Sequence, residues 1–357
     1  MRKAEIGVWC GTVLLALCAS SRMAWGQAAD PEDAMIDTIR DLNTISAADQ
    51  TRIGEWAKAQ IDKLAATPPA EKQAALNRFT TRFQTQFTNP RNSAAFRTQF
   101  ATQVAQVAAS EFGKTALDGI TAWGLARVLV DLEVPETFVG LTACLKSSAP
   151  VARYLCARGL ALQREAIAKD KAKLGEAIQA LHAAALAETD PVALSHLYRA
   201  LAYSGQVGEV FSAYLSIFDK RLSARRKAPR LAGDGAELEA FEFSRIPSVA
   251  GALNAEQKSQ LAQRVAVFLR LDGERYNTDV LPAREKAKLE STLESAEAVL
   301  MALTGGKSAG IAEELAKGGH ERRAAVLTQV YRWVGHPTTG ETGALNASPW
   351  NVPLGAP

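Results

Sequence analysis

Histidine and cysteine are scarce in this chain, four of each in 357 residues. No two of His182, His196, His320 and His336 stand one helical turn apart, and no cysteine pair joins them in a ligand pattern. No metal site and no cofactor are expected. Alternating apolar and polar runs are missing, as is any Asn-Gly hairpin signal, which excludes a sheet-based fold. Proline is absent from every long apolar-periodic stretch: all 14 prolines fall where a helix would begin or a loop would run. No segment beyond the N-terminus approaches the ~20 apolar residues of a bilayer span.

What the chain does have at its start is the pattern of a secretory signal. Arg2 and Lys3 precede an apolar run of 14 residues from Ile6 to Ala19. Ala24-Trp25-Gly26 then presents small residues at the two positions a signal peptidase reads. Residues 1–26 are therefore expected to be a signal peptide, with a retained anchor as the alternative. The mature chain is expected to be exported, periplasmic or extracellular, with no transmembrane segment. Without Arg2, Lys3, Arg22 and Glu5, the 41 basic and 38 acidic residues become 38 and 37. That near-neutral balance argues against nucleic acid as a partner. Cys10 and Cys18 leave with the signal. Cys144 and Cys156 remain, flanking the turn at residues 147–150, either as a disulfide or as two small buried apolar residues.

Alanine and leucine dominate the apolar residues and favour helix. Helices are expected at about 31–43, 46–66, 69–88 and 92–112, with Ser46 as an N-cap. Phe79, Phe83, Phe87, Phe96 and Phe100 recur at helical spacing and predict a core stripe. Helix pairs follow at 115–132 with 135–146, 150–168 with 173–188, and 191–204 with 208–226. Residues 227–252 hold Pro229, Gly233, Gly235 and Pro247 and read as a loop or domain boundary. Helices resume at about 254–271, with Asn254 as cap, then at 282–303, 307–317 and 319–334. The tail at 336–357 is rich in Pro, Gly, Thr and Asn and is expected to be disordered.

Pro150-Val151-Ala152 and Pro191-Val192-Ala193 open two of these helices 41 residues apart, with Arg158/Arg199, Leu160/Leu201 and Ala161/Ala202 at matching offsets. A period near 40 residues marks stacked helix pairs. Ala152-Arg153, Cys156-Ala157 and Gly159-Leu160, then Asp190-Pro191 and Ala200-Leu201, resemble HEAT-like α-helical repeats over about 115–226. The second unit departs at Leu194, where Arg is expected, and at Leu197-Tyr198, where small residues are. The resemblance implies a curved stack that binds proteins and no catalytic residues. The predicted fold is thus all-α, with antiparallel helix pairs forming a short, irregular HEAT-like solenoid between N-terminal (27–114) and C-terminal (253–335) helical regions.

Two surfaces stand out as candidates for contact. His196, Arg199 and Tyr203 share a helical face beside Tyr198, and stacking would align Arg158 with Arg199. These five are the expected partner-binding residues. Arg221, Arg225 and Arg226 belong to a basic run that could meet an anionic surface, unless Asp234, Glu237, Glu239 and Glu242 neutralise it in cis. Gly306-Lys307-Ser308 lacks the earlier glycine and the strand of a phosphate loop and reads as a helix end. The function expected is non-catalytic: an interaction scaffold of the cell envelope with a protein partner. The alternative is an α/α-fold enzyme acting on an envelope polymer such as a glycan, which would need a pocket joining His196, Tyr198 or Tyr203 to an acid.

Overall fold

A computed structural model describes residues 31–114, 117–231, 233–278, 280–306, 308–317 and 321–354. The expected signal segment, Cys10, Cys18, Lys307 and His320 lie outside the described residues. Within them the chain is all-helical and contains no strand. The N-terminal helices are α1 (Pro31–Asp37), α2 (Ala47–Ala66), α3 (Lys72–Thr88) and α4 (Ala94–Phe112). Next come α5 (Gly119–Asp131), α6 (Phe138–Cys144), α7 (Pro150–Leu162), α8 (Arg164–Ala168) and α9 (Lys171–Ala187). Then follow α10 (Pro191–Leu201), α11 (Val207–Lys227), α12 (Leu238–Ser244), α13 (Pro247–Ala252) and α14 (Ala255–Thr278). The last are α15 (Ala283–Thr304), α16 (Ile311–Ala316) and α17 (Arg322–Val334).

Local chemistry accounts for about half of the helix starts among the described residues. Ser46, Ser93, Asp118, Asp170 and Asp190 each accept a hydrogen bond from a backbone N–H of the first turn. Asn254 and Gln257 satisfy each other's backbone N–H groups reciprocally before α14. Proline opens α7, α10 and α13, where its missing N–H costs nothing.

Packing along each row skips one or two helices at a step. One row of neighbours runs α2, α4, α6, α9, α11, α14, α17. The other runs α3, α5, α7, α10, α12, α15. This pattern is compatible with a helical repeat fold. A single apolar core passes between the rows from Ile36 to Val352. At its N-terminal end Phe79, Phe83, Phe96 and Phe100 of the predicted stripe are buried and Phe87 partly so, with Trp56 against Phe83 and Phe100 at ring-centroid distances of 4.8 and 5.6 Å. Glycines let the helices approach closely. A Cβ at Gly140 would stand 3.0 Å from the Ala105 carbonyl, and one at Gly159 would stand 2.8 Å from Leu141.

Two expectations about loops are corrected. The segment at 227–252 is no boundary: α12 and α13 form there, and Ala236, Ala240 and Phe241 are fully buried in the common core. Its prolines and glycines punctuate the chain, but its apolar residues still bury. The tail is not disordered over 336–354. Gly335, at φ 81°, turns the chain back beside α17. Ala344 and Leu345 then donate to the Arg332 and Trp333 carbonyls, and Leu345 and Val352 enter the core. Asn346 ties the turn by donating to the Val334 and Val352 carbonyls.

Candidate binding site

The turn between α6 and α7 is built to hold α7 in place. Cys144 and Cys156 are joined by a disulfide, with their Cα atoms 6.2 Å apart. Arg153 donates to the Ser147 and Ser148 carbonyls and grips the Glu188 carboxylate with two further bonds of 2.6 and 2.7 Å. Burial alone would raise the Glu188 carboxyl. Arg153 and the N–H groups of Asp190 and Thr189 outweigh it and hold the carboxyl below its ordinary range. The arginine that carried part of the repeat resemblance thus fastens the α9–α10 turn to the α6–α7 turn, side by side.

That fastening fixes what α7 and α10 display together. Arg158 and Arg199, the repeat mates, are both exposed and both close enough to His196 to act on it. Burial lowers His196, and the charges of Arg199 and Arg158 lower it further, so the imidazole is neutral at neutral pH. Its ring sits edge-on to Tyr154 at 4.3 Å. Stacking therefore brings Arg158, His196 and Arg199 onto one surface.

The two tyrosines do not join them. Tyr198 is 0 % exposed and lies against Tyr214 and Phe218, so it is core. Tyr203 is 2 % exposed, under the Arg164 guanidinium. Burial pushes its hydroxyl up to about 12 and Tyr198 well above the ordinary tyrosine value, so neither ionises near neutrality. Helical spacing placed them beside Arg199, but α10 ends at Leu201, before Tyr203, and other helices cover both rings.

The basic run is corrected as well. Arg221 and Arg225 are buried rather than presented to an anionic surface; only Arg226 of the three is exposed. Arg221 pairs with Asp234 at 2.6 Å and with Glu237 at 2.7 Å. Arg225, 0 % exposed, pairs with Glu237 and, at 2.7 Å, with Asp272. Neutralisation in cis is thus by Asp234 and Glu237, with Asp272 supplied from α14.

Glu239 and Glu242 line something else, a cleft of about 710 Å³ between α8, the end of α10 and the α12–α13 turn. Arg164, Arg199 and Arg245 bring three guanidinium groups to it. Arg164 donates to the Arg199 carbonyl. Arg199, 58 % exposed, stands 3.9 Å from Glu239. Among the described residues Arg245 and Glu242 have no ion pair. Phe243, Ile246 and Pro247 supply the apolar part of the wall. Arg164, Arg245, Glu239 and Glu242 are additions that sequence reasoning missed as site residues. The only signal for Glu239, Glu242 and Arg245 was the density of charge within the segment read as a boundary, and Arg164 had none.

Chemically the cleft holds guanidinium groups, carboxylates and the Ser204 hydroxyl, and it includes none of His196, Tyr198 and Tyr203. Glu239 and Glu242 stand on one turn of α12, hence on one wall. Carboxylates that cleave a glycosidic bond must flank it instead. Gly306-Lys307-Ser308-Ala309-Gly310 spells the spacing of a nucleophile elbow, but an elbow turns from a strand into a helix. Here it follows α15, which ends at Gly305 in the left-handed region, and the Ser308 hydroxyl accepts from the Gly310 N–H. Among the described residues no group of three or more His, Cys, Asp or Glu side chains is placed to hold a metal ion. Nor is any helix among them long and apolar enough to cross a membrane.

No protein-family model, curated protein or solved structure matches the chain.

Proposed function

We propose that this protein is an exported, non-catalytic interaction scaffold of the cell envelope, a short HEAT-like stack that binds a protein partner through the α7–α10–α12 side. One observation carries the reading. Arg158 and Arg199 occupy matching positions of neighbouring helices and are exposed together, and Arg199 lines a charged open cleft. Successive units of a helical stack offer equivalent positions to one extended ligand in this way. The disulfide at Cys144 and Cys156 supports export, since such bonds persist in oxidising compartments.

In-situ crosslinking followed by affinity recovery of the mature chain tests the scaffold role. A defined partner protein is expected to be retained. Recovery of the chain alone, under conditions where envelope complexes survive, overturns it.

A further inference from the structure

The cleft and its surroundings carry an unbalanced charge pattern. Three guanidinium groups face two carboxylates in the lining. Arg158 adds a further positive charge on the adjoining face of α7, and His196 between it and Arg199 contributes none. Among the described residues Arg158 and Arg245 are in no ion pair, and Arg199 has only the long contact to Glu239. A partner can take Arg158 and Arg245 without breaking an ion pair inside the fold, and taking Arg199 gives up only that long contact. Large apolar side chains stand beside them: Leu162, one turn beyond Arg158, is 59 % exposed, and Ile246, next to Arg245, is 41 % exposed. Arg158 and Arg245 thus each have an exposed apolar neighbour.

We propose that this strip, Arg158–Leu162 on α7, Arg199 on α10 and Arg245–Ile246 after α12, is the docking site for an acidic, apolar-containing peptide segment of a partner protein. The inference rests on the scaffold reading and names the partner's chemistry. Carboxylates of the segment pair with Arg199, Arg245 and Arg158, and the planar guanidinium fork accepts them bidentately. Apolar residues between them cover Leu162 and Ile246. The volume of the cleft lies in the range of ligand-binding sites. Glu239 and Glu242 select against other anions. They repel a uniformly charged polymer or a phosphate surface, while a segment whose acidic groups are spaced by apolar residues avoids them.

The test uses the mature chain and four probes: a labelled peptide alternating Asp and Glu with Leu and Ile, the same peptide with Lys at the acidic positions, inorganic phosphate, and phosphatidylglycerol vesicles. Saturable binding of the acidic peptide alone is expected, weakening as salt rises. Arg199→Glu with Arg245→Glu should reduce that affinity at least about tenfold and transfer binding to the Lys peptide. Both positions are exposed, so circular dichroism should remain that of the parent chain. Equal binding of both peptides, no binding of the acidic one, tighter binding of phosphate or vesicles, or insensitivity to the charge reversal each overturns the inference.

The crosslinking experiment keeps the two failures apart. A retained partner combined with a null peptide result overturns the acidic-segment inference and leaves the scaffold standing. Peptide binding with no partner retained does the reverse.

Discussion

Arg225 stands at the centre of a buried ion cluster in the C-terminal half. Its guanidinium is fully buried, paired with Glu237 and Asp272, and lies 4.6 Å from the Phe268 ring centre. Removing one partner of a buried pair leaves the other charge uncompensated. Arg225→Ala should therefore cost about 3–5 kcal/mol in urea denaturation. The same cluster has a pH signature. Burial raises the Asp272 carboxyl to about 7, Arg225 opposes this, and Glu237 and Asp234 add to it. Between the ordinary carboxylate range and about 7, the folded chain holds a proton that the unfolded chain has released. This contribution is complete at acid pH and is lost as pH rises through that window. Asp272→Asn should flatten that part of the profile of melting temperature against pH. Glu188 has the opposite sign: its carboxyl is depressed, so its contribution is present at neutral pH and lost on acidification.

At the scale of elements, a disulfide ties α6 to α7, and the Arg153–Glu188 ion pair ties α7 to the α9–α10 turn. The disulfide closes a loop with a sequence separation of 12, and replacing both cysteines by alanine should cost about 2–3 kcal/mol on the chain-entropy argument, measured by denaturation. Gly140→Ala presses a methyl group onto the Ala105 carbonyl, and overpacking of that kind costs about 1–3 kcal/mol. The tail is an element too. Truncation after Gly335 removes Leu345 and Val352 from the core, each worth about 1.5–3 kcal/mol when buried, and should lower the melting temperature.

Helix positions were legible because their signals are local: caps, prolines and apolar periodicity. Ser46, Asn254 and the Phe stripe show this directly. The burial of the tail and of Phe241 was not legible, because Pro and Gly mark turns without telling whether a turn packs. Among site residues, Arg158 and Arg199 could be aligned by the repeat. Tyr198 and Tyr203 could not be told from surface, since periodicity within one helix does not show that α11 covers the first and Arg164 of α8 the second. Asp272 was invisible for the same reason, 47 residues from its arginine.

The whole molecule is expected to be sided. Row-to-row packing leaves the α7–α10–α12 side with free arginines and exposed Leu162 and Ile246, and the partner should lie there. The most direct measurement is photo-crosslinking inside cells from two exposed positions, Ser204 at the cleft and Gln106 on α4. A discrete adduct with one protein from Ser204, and none from Gln106, is the predicted result. No adduct from Ser204, or the same products from both positions, would contradict a partner-binding role for this side.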